Sequence, residues 1–301
     1  MADPHDPDRG FLEGVASPAI QTSTYATISQ LKKDFHDALD NPELQYLLLS
    51  NVTTRIFTTH FRDAGEDADD DDNDDADDYN YDYENPCTRW TAYDPSLELL
   101  LVQTPTSKIH GCAREEFSTR LVLAMDRLGV FGDLLPLGSG ACHAALGSKC
   151  ADKAYRPMKL PLGRSAEWPS MVVEVEITSS DTASKLESDV RYWARAPPAG
   201  EVRIIVTIRV SQSRPEIALE KWEDNHEGRK ERCQTITIRH GVEGKKPKVE
   251  GGPMVLDFEK LFLRPPATPM EQEVVVLSEE DLALLATHVW ITQSFVPWEE
   301  V

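Results

Sequence analysis

Two glutamates, Glu174 and Glu176, stand two positions apart in the otherwise apolar segment VVEVEIT. Because side chains alternate between the faces of a β-strand, both carboxyl groups are expected on one face, with Val173, Val175 and Ile177 on the other. An ionised carboxylate is costly to bury unless a cation or a hydrogen-bond donor compensates it. A divalent metal ion would compensate both acids.

A third acid, Asp152, lies upstream in the segment LLPLGSGACHAALGSKCADKAYRPM, whose Gly and Ser residues are typical of a hairpin. The chain between Asp152 and Glu174 is long enough to finish one strand, turn through LGRSAEWP and return in the next. We therefore expect the Asp152 and Glu174 carboxylates to lie about 4 to 6 Å apart, close enough to share one ion. The alternative is that the two glutamates lie on a solvated face and that Asp152 caps a turn.

The elements that position these acids follow from the spacing of apolar residues. The segment REEFSTRLVLAMDRLGV predicts an amphipathic helix, SMVVEVEIT a strand, residues 179–196 a second helix, and VRIIVTIRV a buried strand. With the two arms of the hairpin, the order is helix, three strands, helix and strand. LELLLVQTP predicts a further strand before this unit, and EIALEKWED and CQTITIRHG predict antiparallel additions after it.

These elements predict an α/β domain over residues 95–240, with a mixed central sheet flanked by helices. We expect a flexible polar tail over 1–20, two short helices over 21–62 and a C-terminal extension over 241–301. Within that extension, SEEDLALLATHVWITQ begins with a Ser-x-x-Asp capping pattern and predicts a closing helix.

Residues 63–86 form an acidic tract that we expect to be a disordered loop, because it cannot bury enough apolar surface to offset ordering. The chain has a formal net charge of −21, and 13 acidic residues with no Lys or Arg lie between Asp63 and Glu84. The rest of the chain is therefore only mildly acidic, which does not exclude a nucleic-acid partner. A histone-like or cation-binding tail and a DNA mimic are alternatives to a solvated linker.

Composition also bears on the compartment. The first residues, MADPHDPDRG, lack the apolar run of a signal peptide, and no segment approaches the roughly 18 apolar residues that span a bilayer. Five scattered cysteines favour reduced thiols over a disulfide framework, and they lack the paired spacing of a zinc module. We expect an intracellular protein, nuclear or cytoplasmic, with no membrane partner.

The dipeptide Ala151-Asp152, followed by the E-x-E strand and a helix, resembles the PD-(D/E)XK phosphodiesterase superfamily. More narrowly, the segments ADKAYRP, EWPSMVVEVEITSS, KLESDVRYWARA and ALEKWED resemble a group of uncharacterised, nuclease-like fungal proteins. The resemblance implies a restriction-endonuclease-like core.

It further implies Mg²⁺-dependent hydrolysis of nucleic acid, with DNA as the expected substrate, in which Asp152, Glu174 and Glu176 bind Mg²⁺ or Mn²⁺. The sequence departs from the superfamily pattern at Ala151, where Pro is usual, and at Glu176, where Lys is usual. Some members tolerate Glu at that position, and others supply the Lys from the following helix. In the second case Lys185 is the catalytic lysine, and Glu115 or Glu116 is a candidate for a further metal contact.

The alternative function is a catalytically inactive nuclease-like domain that serves as a nucleic-acid or protein interaction module. A protein partner would then bind through the acidic loop and the cleft. Basic residues cluster in sequence around Asp152 and are candidates to flank a phosphate backbone, although solvated charge explains them equally well: Lys149, Lys153, Arg156, Lys159 and Arg164.

Overall fold

The computed structural model describes residues 6, 9–41, 44–62, 85–104, 107–178, 184–241 and 246–297. Nearly all of the predicted disordered tract therefore lies outside the described residues. The described strands are β1 (Ile20–Thr24), β2 (Tyr46–Ser50), β3 (Trp90–Asp94), β4 (Leu99–Gln103), β5 (Leu134–Gly138), β6 (Ala141–Ala144), β7 (Gly147–Cys150), β8 (Lys153–Pro157), β9 (Met171–Thr178), β10 (Ile204–Ser211), β11 (Glu216–Asp224), β12 (Lys230–Arg239), β13 (Lys248–Glu250), β14 (Met254–Asp257) and β15 (Val274–Leu277). The described α-helices are α1 (Ile28–Leu39), α2 (Thr54–Phe57), α3 (Lys108–Arg127), α4 (Ser184–Arg195), α5 (Phe258–Phe262) and α6 (Glu279–Thr292).

The predicted order of helix, three strands, helix and strand is present as α3, β5, β8, β9, α4 and β10. Its strands lie in a seven-stranded mixed sheet with the order β13-β12-β11-β10-β9-β8-β5. Strands β9 and β10 are parallel and connected through α4, whereas β8 runs antiparallel to β9. The chain is therefore of the α/β class, with mixed sheets flanked by helices as the sequence predicts.

A second sheet of six described strands has the order β1-β2-β4-β3-β7-β6. Helix α4 lies between the two sheets, because its Tyr192 hydroxyl donates to the Cys142 carbonyl of β6 at 2.7 Å while the helix also packs on β9 and β10. Helices α1 and α2 cover the far face of the six-stranded sheet, and α3 and α6 cover the far face of the seven-stranded sheet. The layering buries α4 on nearly every side.

Two expectations for the N-terminal part are wrong. The apolar run at Tyr46 to Leu49 forms β2 instead of a second helix, because it is buried on both faces within the six-stranded sheet. The predicted flexible tail is packed at Phe11 and Leu12, which are 0% and 1% exposed. Arg191 of α4 holds this segment by donating to the Phe11 carbonyl at 2.7 Å.

The hairpin expected around Asp152 is more elaborate than the sequence suggests. Strands β5 and β8 do pair as antiparallel arms, but the chain between them leaves the seven-stranded sheet and forms the hairpin of β6 and β7 in the other sheet. Asp152 lies where the chain returns from β7 to β8. This excursion places residues from both sheets beside the acids.

All five cysteines are free, in agreement with the expectation of reduced thiols. None of the helices in the described ranges has the length and apolar character needed to cross a bilayer.

The closing helix α6 begins with the predicted capping box, in which Ser278 and Asp281 exchange side-chain and backbone hydrogen bonds. Because these bonds satisfy donors that the helix leaves unpaired, Ser278→Ala is expected to lower the free energy of unfolding by about 1 kcal/mol. Urea denaturation followed by circular dichroism measures the change. The exposed Glu280→Ala variant in the same turn is the control, and equal midpoints for the two variants would contradict the role of the cap.

Candidate active site

The two glutamates of β9 point to the same face of the sheet, toward α4. Glu174 is 0% and Glu176 is 3% exposed, so neither lies on a solvated face. On the opposite face, Val173, Val175 and Ile177 pack into the apolar core beneath α3 and α6. The alternation expected from the sequence therefore places both acids inside the protein.

Asp152 is held against β9 by a backbone contact. Its Oδ2 accepts a hydrogen bond from the Val175 N–H at 2.7 Å, two residues beyond Val173, which ends the β8–β9 ladder. The Nε2 atom of His110, in the first turn of α3, lies 3.4 Å from the same oxygen. Asp152 keeps 11% side-chain exposure, which makes it the most accessible of the three predicted acids.

Lys185 reaches this cluster from the first turn of α4. Its Nζ lies 4.0 Å from Asp152 Oδ2 and 3.8 Å from Glu174 Oε2. Because both oxygens lie within 4.0 Å of one nitrogen, a single cation already lies between the two carboxylates. The structure thus brings Asp152, Glu174 and Lys185 together, and Lys185 is close enough to Glu176 to lower the pKa of that carboxyl group.

Three further residues belong to the cluster: the sequence analysis missed Asp189 and Trp193 and assigned Lys149 to a basic patch. Asp189, one turn after Lys185 on α4, accepts from the Lys185 Nζ at 2.7 Å, and Trp193 donates from Nε1 to Glu174 Oε1 at 2.6 Å. Lys149 of β7 lies 3.2 Å from Glu174 Oε1 and 2.7 Å from Asp189 Oδ1. The spacing of four residues from Lys185 to Asp189 and again to Trp193 places all three on one helix face, and that signal could have been found.

The remaining candidates lie elsewhere or have other partners. Glu116 pairs with Arg120 at 2.8 Å and with His288 at 2.9 Å, and Glu115 pairs with Lys153 at 3.0 Å. Arg164 is largely buried and paired with Glu201. Lys149 and Arg164 are therefore inside the protein and cannot belong to an exposed phosphate-binding patch, whereas Lys159 is exposed.

Burial dominates the electrostatics of the two glutamates. It raises the pKa of Glu174 to about 8, with the nearby Asp189 adding to the rise and the lysines opposing it. Burial likewise raises the pKa of Glu176 to about 7, against the attraction of Lys185 and a hydrogen bond from the Leu186 N–H. Both carboxyl groups are therefore partly or largely protonated at neutral pH.

The pKa values of Asp152, Lys149 and Lys185 shift in the direction that favours their charged forms. Burial alone would raise the pKa of Asp152, but the neighbouring His110 and Lys185 and the Val175 hydrogen bond hold it well below its usual range. Asp189 and Glu174 outweigh burial at Lys149, and Asp189 outweighs it at Lys185, so the pKa of each lysine is raised. Asp152 is thus a carboxylate and both lysines are ammonium groups at neutral pH.

The cluster contains four carboxyl groups, of Asp152, Glu174, Glu176 and Asp189, against the two ammonium groups of Lys149 and Lys185. If every acid were ionised, two negative charges would lack a counter-charge unless His110 were protonated. Burying such an excess is unfavourable, which explains why the pKa values of the two glutamates rise. The excess equals the charge of one divalent cation.

The donor chemistry of the cluster fits such a cation. Glu174 Oε2 and Glu176 Oε2 are buried and have no hydrogen-bond partner among the described residues. Carboxylate oxygens are the ligands that Mg²⁺ prefers. No three His, Cys, Asp or Glu side chains in the described ranges converge as ligands of one ion. The Lys185 ammonium lies within 4.0 Å of both Asp152 and Glu174. Asp152, Glu174 and Glu176 are the side chains that would have to close around a divalent cation.

Comparisons with known proteins give little further guidance. No family model matches the chain, and no curated protein matches it. Among solved structures, a protein from Anabaena variabilis described as "a putative nuclease belonging to DUF820" is similar over 62% of this chain and 87% of that chain, with 11% identity and a TM-score of 0.33. A likeness this low does not establish a shared fold or activity.

Proposed function

We propose that the chain is a metal-dependent nuclease that hydrolyses phosphodiester bonds in nucleic acid, with DNA as the expected substrate. The observation that carries the proposal is a buried cluster of four carboxyl groups, of Asp152, Glu174, Glu176 and Asp189, beside only two ammonium groups, of Lys149 and Lys185. Ionising all four acids would bury an excess of two negative charges, a cost that a divalent cation would remove. The PD-(D/E)XK resemblance supports the same assignment.

Asp152, Glu174 and Glu176 are the residues that would hold Mg²⁺ or Mn²⁺. When bound, such an ion supplies charge stabilisation at the phosphate and lowers the pKa of a water molecule. Lys185 remains protonated at neutral pH, because Asp189 and the other acids raise its pKa. Its role is therefore to orient the attacking water by donating a hydrogen bond and to stabilise negative charge, and not to remove a proton.

Accessibility indicates the direction from which a phosphate would approach. The side chains of Glu174, Lys149, Lys185 and Asp189 are at most 3% exposed, whereas Asp152 is 11% exposed. Asp152 also lies beside the first turn of α3 through His110. Substrate is therefore expected on the Asp152 side of the cluster, between the N-terminal turns of α3 and α4.

Lys149 favours a second candidate function. Its buried ammonium already satisfies Glu174 and Asp189, which gives the acids a structural partner in place of a metal ion. In that case the chain is an inactive nuclease-like module, and its cleft binds a nucleic acid or a protein without cleaving it.

Metal titration separates the two candidates. The melting temperature of the full chain is measured with 0 to about 10 mM Mg²⁺ or Mn²⁺, alongside cleavage of supercoiled and single-stranded DNA. A nuclease should be stabilised by about 2.7 kcal/mol when the ion reaches one hundred times its Kd, since binding only to the folded state shifts the folding equilibrium. Asp152→Asn should abolish both the shift and the cleavage. If neither ion changes the melting temperature and no DNA is cut, the metal-dependent function is wrong and the inactive module remains.

A further inference from the structure

Lys149 reaches the candidate site from a different sheet than the other residues. It belongs to β7, which pairs with β3 and β6 in the six-stranded sheet, whereas the glutamates belong to β9 of the seven-stranded sheet. Gly147 at the start of β7 has a φ of 146°, and a Cβ there would collide with the Tyr93 carbonyl of β3. Glycine at this position therefore allows the close approach of β7 that carries Lys149 inward.

The contacts of Lys149 close a ring of charges. Its Nζ lies 2.7 Å from Asp189 Oδ1 and 3.2 Å from Glu174 Oε1, and it donates to the Cys150 carbonyl at 3.4 Å. The Lys185 Nζ lies near the other oxygen of each acid, 2.7 Å from Asp189 Oδ2 and 3.8 Å from Glu174 Oε2. Two ammonium groups and two carboxyl groups thus alternate around the ring, and all four residues are at most 2% exposed.

The two carboxyl oxygens of Glu174 have different surroundings. Oε1 has two partners, because it accepts a hydrogen bond from the Trp193 indole and forms an ion pair with Lys149. Oε2 has no hydrogen-bond partner and faces the side on which Asp152 and Lys185 lie. The Lys149 ammonium also neutralises one of the charges that would otherwise attract a cation into the interior between Glu174 and Asp189.

We propose that Lys149 is an internal counter-ion that positions Glu174 and sets the cation affinity of the cluster. It leaves Glu174 Oε2, on the side of Asp152 and Lys185, as the oxygen that would receive a divalent cation, and it weakens binding by its own positive charge. Lys149 is thus a positioning residue that acts through Glu174. This inference rests on the proposed metal-dependent function.

The test compares Lys149→Met with the unmodified full chain, because methionine keeps much of the length of the side chain and removes its charge. The variant is expected to melt at a lower temperature without divalent cations, and Mn²⁺ should restore the loss. The Mn²⁺ concentration for half of the shift should fall by about tenfold or more, as removal of a nearby like charge predicts. Calorimetric titration with Mn²⁺ alone gives the same comparison without relying on activity.

A double variant, Lys149→Met with Asp189→Asn, guards against a single variant that does not fold. Removing one charge of each sign returns the cluster to its original excess, so the double variant should fold, melt above Lys149→Met and show a Mn²⁺ response close to that of the unmodified chain. A double variant no more stable than Lys149→Met would overturn the counter-ion role.

The outcomes also separate this inference from the proposed function. If Mn²⁺ stabilises the unmodified chain and Lys149→Met equally, the counter-ion role fails and the metal site stands. If Mn²⁺ stabilises only Lys149→Met, the counter-ion role stands, and the unmodified chain is not a metal-dependent enzyme. No response in either protein overturns both.

Discussion

The free energy of unfolding of Glu174→Gln, relative to that of the unmodified protein, is expected to rise by about 1.4 kcal/mol for each pH unit between pH 5 and 7. This holds when no divalent cation is present. Across that interval the gain amounts to roughly 3 kcal/mol, a large fraction of the stability of an ordinary domain. The reason is that the folded protein keeps a proton on Glu174 that the unfolded chain releases. Glutamine mimics the protonated side chain at every pH and has no such proton to hold.

The direction of the effect follows from the two pKa values. The carboxyl group ordinarily loses its proton near 4.5, whereas burial and Asp189 raise the pKa of Glu174 to about 8 in the fold. Between these values the folded state binds more protons than the unfolded state, so the stability of the unmodified protein falls as pH rises. The fall is absent well below pH 4.5 and complete above about 8. Glu176→Gln should act in the same direction over a shorter interval, since its pKa is raised to about 7.

Urea denaturation at half-unit steps of pH measures this prediction, with metal ions removed by chelation. Glu231→Gln, an exposed glutamate of β12, is the matched control and should follow the unmodified protein at every pH. Parallel curves for Glu174→Gln and the unmodified protein would show that Glu174 is ionised in the fold. The other groups of the cluster would then compensate its charge, and the need for a further cation on which the proposed function depends would not exist.

The fold could be predicted where the spacing of apolar residues agrees with the residues that start or end a helix. Helix α4 has apolar residues at helical spacing followed by Pro197-Pro198, and α6 has both its apolar face and the Ser278 cap. Strand β2 was not predictable, because Tyr46 to Leu49 is a short apolar run without alternation, which fits a buried helix segment or a buried strand equally well. Its pairing with β1 and β4 decides the outcome, and those contacts are distant in sequence.

Some residues of the candidate site could likewise be predicted from the sequence, and others could not. Strand alternation placed Glu174 and Glu176 on one face, the predicted hairpin brought Asp152 to them, and the family resemblance selected Lys185. Asp189 follows from the helical spacing of four residues, although that rule alone does not show that the face is buried. Lys149 follows from no local rule, because β7 reaches the acids through the packing of one sheet against another. Its neighbours in sequence even suggested an exposed basic patch.

Lys185→Met is expected to lower the rate of DNA cleavage by about 10²- to 10³-fold, the usual contribution of a group that stabilises developing charge without transferring a proton. The ammonium of Lys185 lies within 4.0 Å of both Asp152 and Glu174, two of the acids that would hold a metal ion. Its raised pKa keeps it charged throughout the neutral range. Methionine fills the space without donating a hydrogen bond to water or stabilising charge at the phosphate.

Metal binding and catalysis should respond in opposite directions to this change. Removing the positive charge of Lys185 leaves the four acids with only the Lys149 ammonium, so the Mn²⁺-dependent rise in melting temperature should persist or increase. A residue that merely supports the fold would lower both the metal response and the rate, because both would follow the loss of folded protein. If Lys185→Met keeps its Mn²⁺-dependent rise in melting temperature but loses DNA cleavage, Lys185 takes part in the reaction.

Lys248→Met is the matched control, because Lys248 is 72% exposed on β13, four strands away from β9 in the same sheet. Single-turnover cleavage of a labelled DNA duplex, with Mn²⁺ titrated in parallel, gives both readouts for each variant. If Lys185→Met cuts DNA as fast as Lys248→Met, Lys185 has only a structural role in the ring with Asp189. The attacking water would then have to be positioned by Glu176, the acid that stands where the superfamily usually has its lysine.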